Sequence, residues 1–259
     1  MQIIPELVDG CQLRCALCWN RNRKGTFNQM SLKTVEKVLS TFGRRGNYHW
    51  YNWGEPLLYK QFHEFVEVTK GYRTSISSNF SLKLTDQHFE DLRKIEQVTV
   101  SMSGLTEDVY HIYHVGGNFD LVMSNVHRLI GFENKVRINW LMHPGNKHQI
   151  PFAKEWCEKN GFIWGGFRAN CEVEELLKDF THPFLKTPRY YSSRHFQYCK
   201  VQRWVPIDVD GNYLLCCTSH NVKTGYSIWD NISYDELLQI KRDNEFCKVC
   251  YIKGCWKMF

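Results

Sequence analysis

The stretch Ile3-Ile4-Pro5-Glu6-Leu7-Val8-Asp9-Gly10-Cys11-Gln12-Leu13-Arg14-Cys15-Ala16-Leu17-Cys18 decides how the rest of the chain is read. Ile3 to Val8 is a short run rich in strand formers, and Asp9-Gly10 is a turn signal that ends it. Cys11, Cys15 and Cys18 follow at once, so three thiols sit in the loop that leaves a strand. Three thiolates at this spacing can hold three irons of a 4Fe–4S cube and leave the fourth iron open to a ligand. A structural zinc site would need a fourth donor.

Outward from that loop the pattern alternates. Ser31 can cap a helix whose Leu32, Val35, Val38, Leu39 and Phe42 recur at helical spacing. A strand around Tyr48 to Trp53 and a helix with Phe62, Phe65 and Val66 on one face come next, then a strand over Arg73 to Ser78 and a helix over Asp86 to Lys94. Strands are expected at Gln97 to Met102, Lys135 to Met142 and Phe162 to Arg168. The helices between them are marked by Phe119, Val122, Val126, Leu129 and Ile130 and by Ala153, Trp156 and Cys157. Such strand-then-helix units in series imply an α/β fold with a parallel sheet and helical crossovers.

After Arg168 the pattern stops. Residues 171–198, with Pro183 and Pro188, read as a connector between a first domain over 1–170 and a cysteine-rich extension over 199–259. In the extension, Trp204 to Val209, Asp210-Gly211-Asn212 and Tyr213 to Cys217 read as a hairpin, and Tyr234, Leu237 and Leu238 mark a short helix.

The bulk composition narrows the functional classes. Eleven cysteines in a 259-residue chain, mostly in two short-spaced sets, suit metal or cluster binding better than a secreted disulfide framework. Met1 to Gly10 has neither the charge nor the apolar run of a targeting segment, and no stretch is long and apolar enough to span a bilayer. A cytoplasmic protein without a membrane partner is expected. The net charge of +6 arises from 33 basic and 27 acidic residues that are interspersed, so a nucleic-acid partner is not expected.

Together, Cys11, Cys15 and Cys18 in CQLRCALC, Trp53-Gly54-Glu55-Pro56 and Ser77-Ser78-Asn79 resemble the motifs of radical S-adenosylmethionine (SAM) enzymes. The resemblance implies a partial (β/α)6 TIM-like barrel, open on one side, and a cluster whose open iron chelates SAM. It implies that Trp53, Gly54, Glu55 and Pro56, like the family's GGEP motif, receive the SAM amino group. Ser77, Ser78 and Asn79 would contact the ribose, Ser101, Ser103 and Asn139 would offer further polar contacts, and Leu17 would pack on the adenine. All lie at or near the C-terminal ends of expected strands or in the cysteine loop, the face where parallel barrels build active sites. The chain departs from the family at Trp53, which stands for the first glycine, at Leu17, usually aromatic, and at His114 to Phe119, where relatives carry an arginine.

The C-terminal portion resembles the SPASM/twitch extension of the same family, with Cys199, Cys216, Cys247, Cys250 and Cys255. The cysteine count suits the shorter twitch form, with a second, auxiliary 4Fe–4S cluster on Cys199, Cys216, Cys247 and Cys250. Cys255 and Cys217 are rival ligands, and a zinc site on the same residues is the alternative. The expected reaction is oxidation of a small polar substrate, such as an alcohol carbon of a sugar or cyclitol, with SAM consumed. Modification of a peptide or protein is the enzyme alternative, and a zinc or iron–sulfur protein that binds nucleic acid the non-enzyme one. Arg168 is a candidate to fix the substrate and His143 to remove a proton. A flavodoxin or ferredoxin would supply electrons.

Overall fold

The computed structural model describes residues 1–16, 18–22, 27–132, 135–168, 203–216, 222–245 and 247. Strands β1 (Gln2–Pro5), β2 (Asn47–His49), β3 (Arg73–Ser78), β4 (Gln97–Ser101), β5 (Val136–Met142) and β6 (Ile163–Arg168) pair in parallel in that order. Helices α1 (Leu32–Phe42), α2 (Phe62–Val68), α3 (Asp86–Lys94), α4 (Glu107–Tyr113), α5 (Phe119–His127) and α6 (Ile150–Lys159) form the crossovers. This is the expected α/β architecture, a partial barrel.

β7 (Trp204–Ile207) joins the free side of β1 in parallel, with Gln2 opposite Trp204 and Pro5 opposite Ile207. β8 (Asn212–Leu214) and β9 (Lys223–Ser227) continue antiparallel, and α7 (Tyr234–Asp243) follows. The sheet runs β6-β5-β4-β3-β2-β1-β7-β8-β9, so β6 and β9 are its two edges and the barrel stays open. The hairpin expected after residue 199 is present, but its first strand extends the barrel's own sheet. β9 escapes the sequence reading because Lys223, Gly225 and Tyr226 are exposed at the edge and show no alternation of burial. α4 escapes it because only Val109 and Tyr110 of its seven residues are buried, too few for a periodic signal.

Strand alternation sorts the side chains. Ile3, Tyr48, Ile76, Val98, Val100, Val136, Ile138, Trp140 and Val205 point outward and are buried in the main core. α1 is fixed by Ser31, whose hydroxyl accepts from Thr34 N, and it buries Val35, Val38 and Leu39 against that layer. The opposite, inward face carries Gln2, His49, Ser75, Ser77, Ser101, Arg137 and Asn139. Two cross-strand contacts confirm the assignment: His49 Nδ1 to Ser75 Oγ at 2.7 Å and Ser77 Oγ to Ser101 Oγ at 3.2 Å.

Candidate active site

The cysteine loop is held from two sides. On the β1–β3 side, buried Glu6 accepts from the backbone amides of Trp53 (2.9 Å) and Gly54 (3.0 Å), and Glu55 N donates to Gly10 O at 2.8 Å. These bonds pull the chain out of β2, which therefore ends at His49 rather than at Trp53. Gly54 lies so close to β1 that a Cβ would fall 1.6 Å from Val8 O. The close approach demands glycine there. The position before it tolerates Trp53, whose carbonyl accepts from Asn20 Nδ2 at 2.9 Å.

Glu55 is buried. Its carboxylate accepts from Leu57 N (3.0 Å), Asn79 N (2.8 Å) and Asn79 Nδ2, which ties the motif to the end of β3. Burial pushes its carboxyl up to about 7 against the opposing pull of these donors. Asn79 also accepts from Gln12 Nε2 at 2.9 Å, and its Nδ2 reaches Cys11 Sγ at 3.5 Å. Beyond it, Phe80 has φ +53°, a left-handed conformation that a bulky residue rarely adopts. Asn125 Nδ2 steadies that turn by donating to Phe80 O (2.9 Å) and Leu82 O (2.8 Å).

On the α4–β5 side the loop meets the C-terminal end of α4. Arg14 N donates to Val115 O at 2.9 Å and Ala16 N to Tyr113 O at 3.0 Å, so Cys15 lies directly opposite His114. His114 is buried; its Nδ1 is 3.7 Å from Cys15 Sγ and its Nε2 3.3 Å from Ser103 Oγ. The ring stacks on Tyr110 with centroids 4.6 Å apart, and burial lowers its pKa to about 3.

The three thiols suit a cluster. Burial raises Cys11 to about 12, with the nearby Glu55 carboxylate adding to it. Cys15 is raised by burial and then by Cys18 and Cys11, and Cys18 by burial. The sulfurs thus influence one another, yet no set of three described cysteines falls within the 4.8 Å span of a single-ion ligand group. One iron per thiolate fits this spacing better than one zinc, whose bonds of about 2.3 Å would draw the sulfurs together.

The other expected site residues divide into two groups. Ser77, Ser101 and Asn139 are half-buried on the inward face. Ser78, Ser103 and His143 are buried: Ser78 Oγ accepts from Phe80 N at 3.0 Å, and Ser103 Oγ accepts from Leu141 N at 3.3 Å. Burial lowers His143 to about 4, which leaves it neutral and a weak base. Arg168 ends β6 opposite Met142, and its side chain is outside the described set. Leu17, Cys199, Cys217, Cys250 and Cys255 also lie outside the described residues, while Cys216 and Cys247 are half-buried within them. Glu6, Gln12, His49 and Arg137 were not singled out in the sequence. A charge in the apolar run IIPELV and an arginine alternating with Val136 and Ile138 were the available signals.

Residues 6–151, more than half of the 259, match the Radical SAM superfamily. The chain belongs to this superfamily. Membership makes it an enzyme and implies SAM and a 4Fe–4S cluster as cofactors. No curated protein matches it significantly. Among solved structures, Streptococcus suis SuiB bound to the precursor peptide SuiA is similar with a TM-score of 0.67 and 15% identity, over 96% of this chain and 66% of that one. Native anSMEcpe with bound AdoMet gives 0.68 and 15%, over 96% and 83%. BtrN in complex with AdoMet and 2-DOIA gives 0.52 and 16%, over 99% and 90%. At these identities the likeness is one of fold.

Proposed function

We propose that this radical SAM enzyme carries out a two-electron oxidation of a small polar substrate held inside the partial barrel. The observation that carries the reading is the inward face of the sheet, where half-buried Gln2, His49, Ser77, Ser101, Arg137 and Asn139 face one lumen. These groups pair with one another, His49 with Ser75 and Gln2, Ser77 with Ser101 and Arg137 with Asn139, and each donor or acceptor beyond those bonds that an apolar substrate covered would cost about 1–3 kcal/mol. Arg137 supplies positive charge on that face, and its Nε donates to Asn139 Oδ1 at 3.2 Å. The pair lies over Gly165, where a Cβ would be 2.5 Å from Arg137 Nε and 2.6 Å from Asn139 Oδ1. The missing side chain leaves the guanidinium room to meet a hydroxylated or anionic group.

Cys11, Cys15 and Cys18 would hold the cluster, and Glu55 with the Trp53–Pro56 segment would receive the SAM amino group beside it. SAM supplies, on one-electron reduction, methionine and a 5′-deoxyadenosyl radical. Transfer of a substrate C–H hydrogen to that radical would give 5′-deoxyadenosine, and an alcohol carbon that then lost one proton to solvent and one electron to an acceptor would become a carbonyl. An auxiliary cluster, which Cys216, Cys247 and cysteines among Cys199, Cys217, Cys250 and Cys255 would hold, would supply the electron acceptor. A flavodoxin or ferredoxin supplies the initiating electron. Modification of a peptide side chain is the second reading; the SuiB match, solved with a precursor peptide, favours it.

The test is anaerobic reconstitution followed by dithionite and SAM. Formation of 5′-deoxyadenosine by the wild type, and none by the Cys11/Cys15/Cys18→Ala variant, supports the radical chemistry. About eight irons falling to about four in that variant supports the auxiliary cluster. About four irons that vanish in the variant would remove the electron acceptor and with it the dehydrogenation. A product mass two units lower on a polyol or on a peptide separates the two substrate readings.

A further inference from the structure

We infer that His114 is a positioning residue that donates a hydrogen bond from Nδ1 to the Cys15 thiolate, oriented by Ser103 so as to raise the reduction potential of the SAM-binding cluster. The inference rests on the reading that Cys11, Cys15 and Cys18 hold that cluster. Three observations fix it. The paired bonds Arg14 N to Val115 O and Ala16 N to Tyr113 O set residues 15 and 114 face to face, so the ring and the sulfur are held together by backbone on both flanks. The 3.7 Å separation of Nδ1 and Sγ is in range for a bond to sulfur.

The third observation gives the ring a partner at its other nitrogen, consistent with the proton on Nδ1. Ser103 Oγ accepts from Leu141 N at 3.3 Å and lies 3.3 Å from His114 Nε2, so its one hydrogen is available to donate to that nitrogen. A neutral imidazole that accepts at Nε2 carries its hydrogen on Nδ1, pointing at Cys15. Asn146 Nδ2 in turn donates to the backbone Ser103 O at 2.9 Å, which holds that segment in place, and Tyr110 stacks on the His114 ring at 4.6 Å. A hydrogen bond to a ligand sulfur stabilises the more negative, reduced cluster and moves its potential upward.

The experiment is an EPR-monitored redox titration of the reconstituted enzyme, following the signal that changes shape when SAM is added. His114→Phe keeps an aromatic ring without a donor, and His114→Asn keeps an N–H near the Nδ1 position. The expected result is a shift to more negative potential in His114→Phe, a value close to wild type in His114→Asn, and an intermediate shift in Ser103→Ala, all with the same iron content. An unchanged potential in His114→Phe, or equal shifts in the Phe and Asn variants, would overturn the inference. A wild type with no SAM-responsive signal would instead overturn the cluster assignment itself.

Discussion

The two walls of the cysteine loop are built from opposite chemistry. The β1–β3 wall buries two carboxylates, Glu6 and Glu55, each accepting from backbone amides, whereas the α4–β5 wall buries His114 and His143, whose pKa values fall to about 3 and about 4. One wall is an acceptor surface, fixed by main-chain donors and suited to an approaching amino group. The other is neutral, with His114 Nδ1 3.7 Å from Cys15 Sγ. An open-site cluster needs both, because its thiolates and its cationic ligand must be stabilised from different directions.

The sharpest way to break the first wall is Gly54→Ala. Its Cβ would meet Val8 O at 1.6 Å, a backbone atom that cannot yield, so a loss of about 4 kcal/mol or more is expected. Thermal melts should show little folded protein, and iron loading should fail. Glu6→Ala leaves the buried amides of Trp53 and Gly54 without this acceptor and should cost about 2–4 kcal/mol by denaturant titration, while Glu6→Gln should recover part of it.

Acid should weaken SAM binding on the same wall. On the proposed reading the ionised Glu55 carboxylate accepts from the SAM amino group, and burial holds its carboxyl up to about 7. Equilibrium dialysis should therefore give an affinity about tenfold lower at pH 6 than at pH 8. A flat profile would mean that another group receives the amino group. For the fold alone the sign is the reverse. An acid raised above its unfolded value of about 4.3 removes stability as pH rises from there through about 7.

Asn125→Leu removes the two bonds that steady Phe80 and should cost about 1–3 kcal/mol without altering the thiols. The smallest effect belongs outside both walls. Lys159→Ala breaks an exposed i,i+4 pair with Glu155 on α6 and should move stability by less than about 0.5 kcal/mol.

The amino-acid sequence by itself determined the parallel α/β class, the position of the cysteine loop after β1 and the bounds of β3 and α3. Period-two and period-3.6 patterns are local, and CQLRCALC, Trp53-Gly54-Glu55-Pro56 and Ser77-Ser78-Asn79 are contiguous, so each is legible without knowing its neighbours. Other features were decided by contacts between distant residues. β2 ends at His49 because Glu6 captures amides 47 and 48 residues away, and β7 extends the barrel sheet because β1 has a free edge. Cys15 faces His114 only because two backbone bonds bring segments 99 residues apart into register, and Arg137 meets Asn139 over the space that Gly165 leaves. Hydrogen-bond partners and the space between strands are properties of pairs of segments, and they exist only once the sheet has formed.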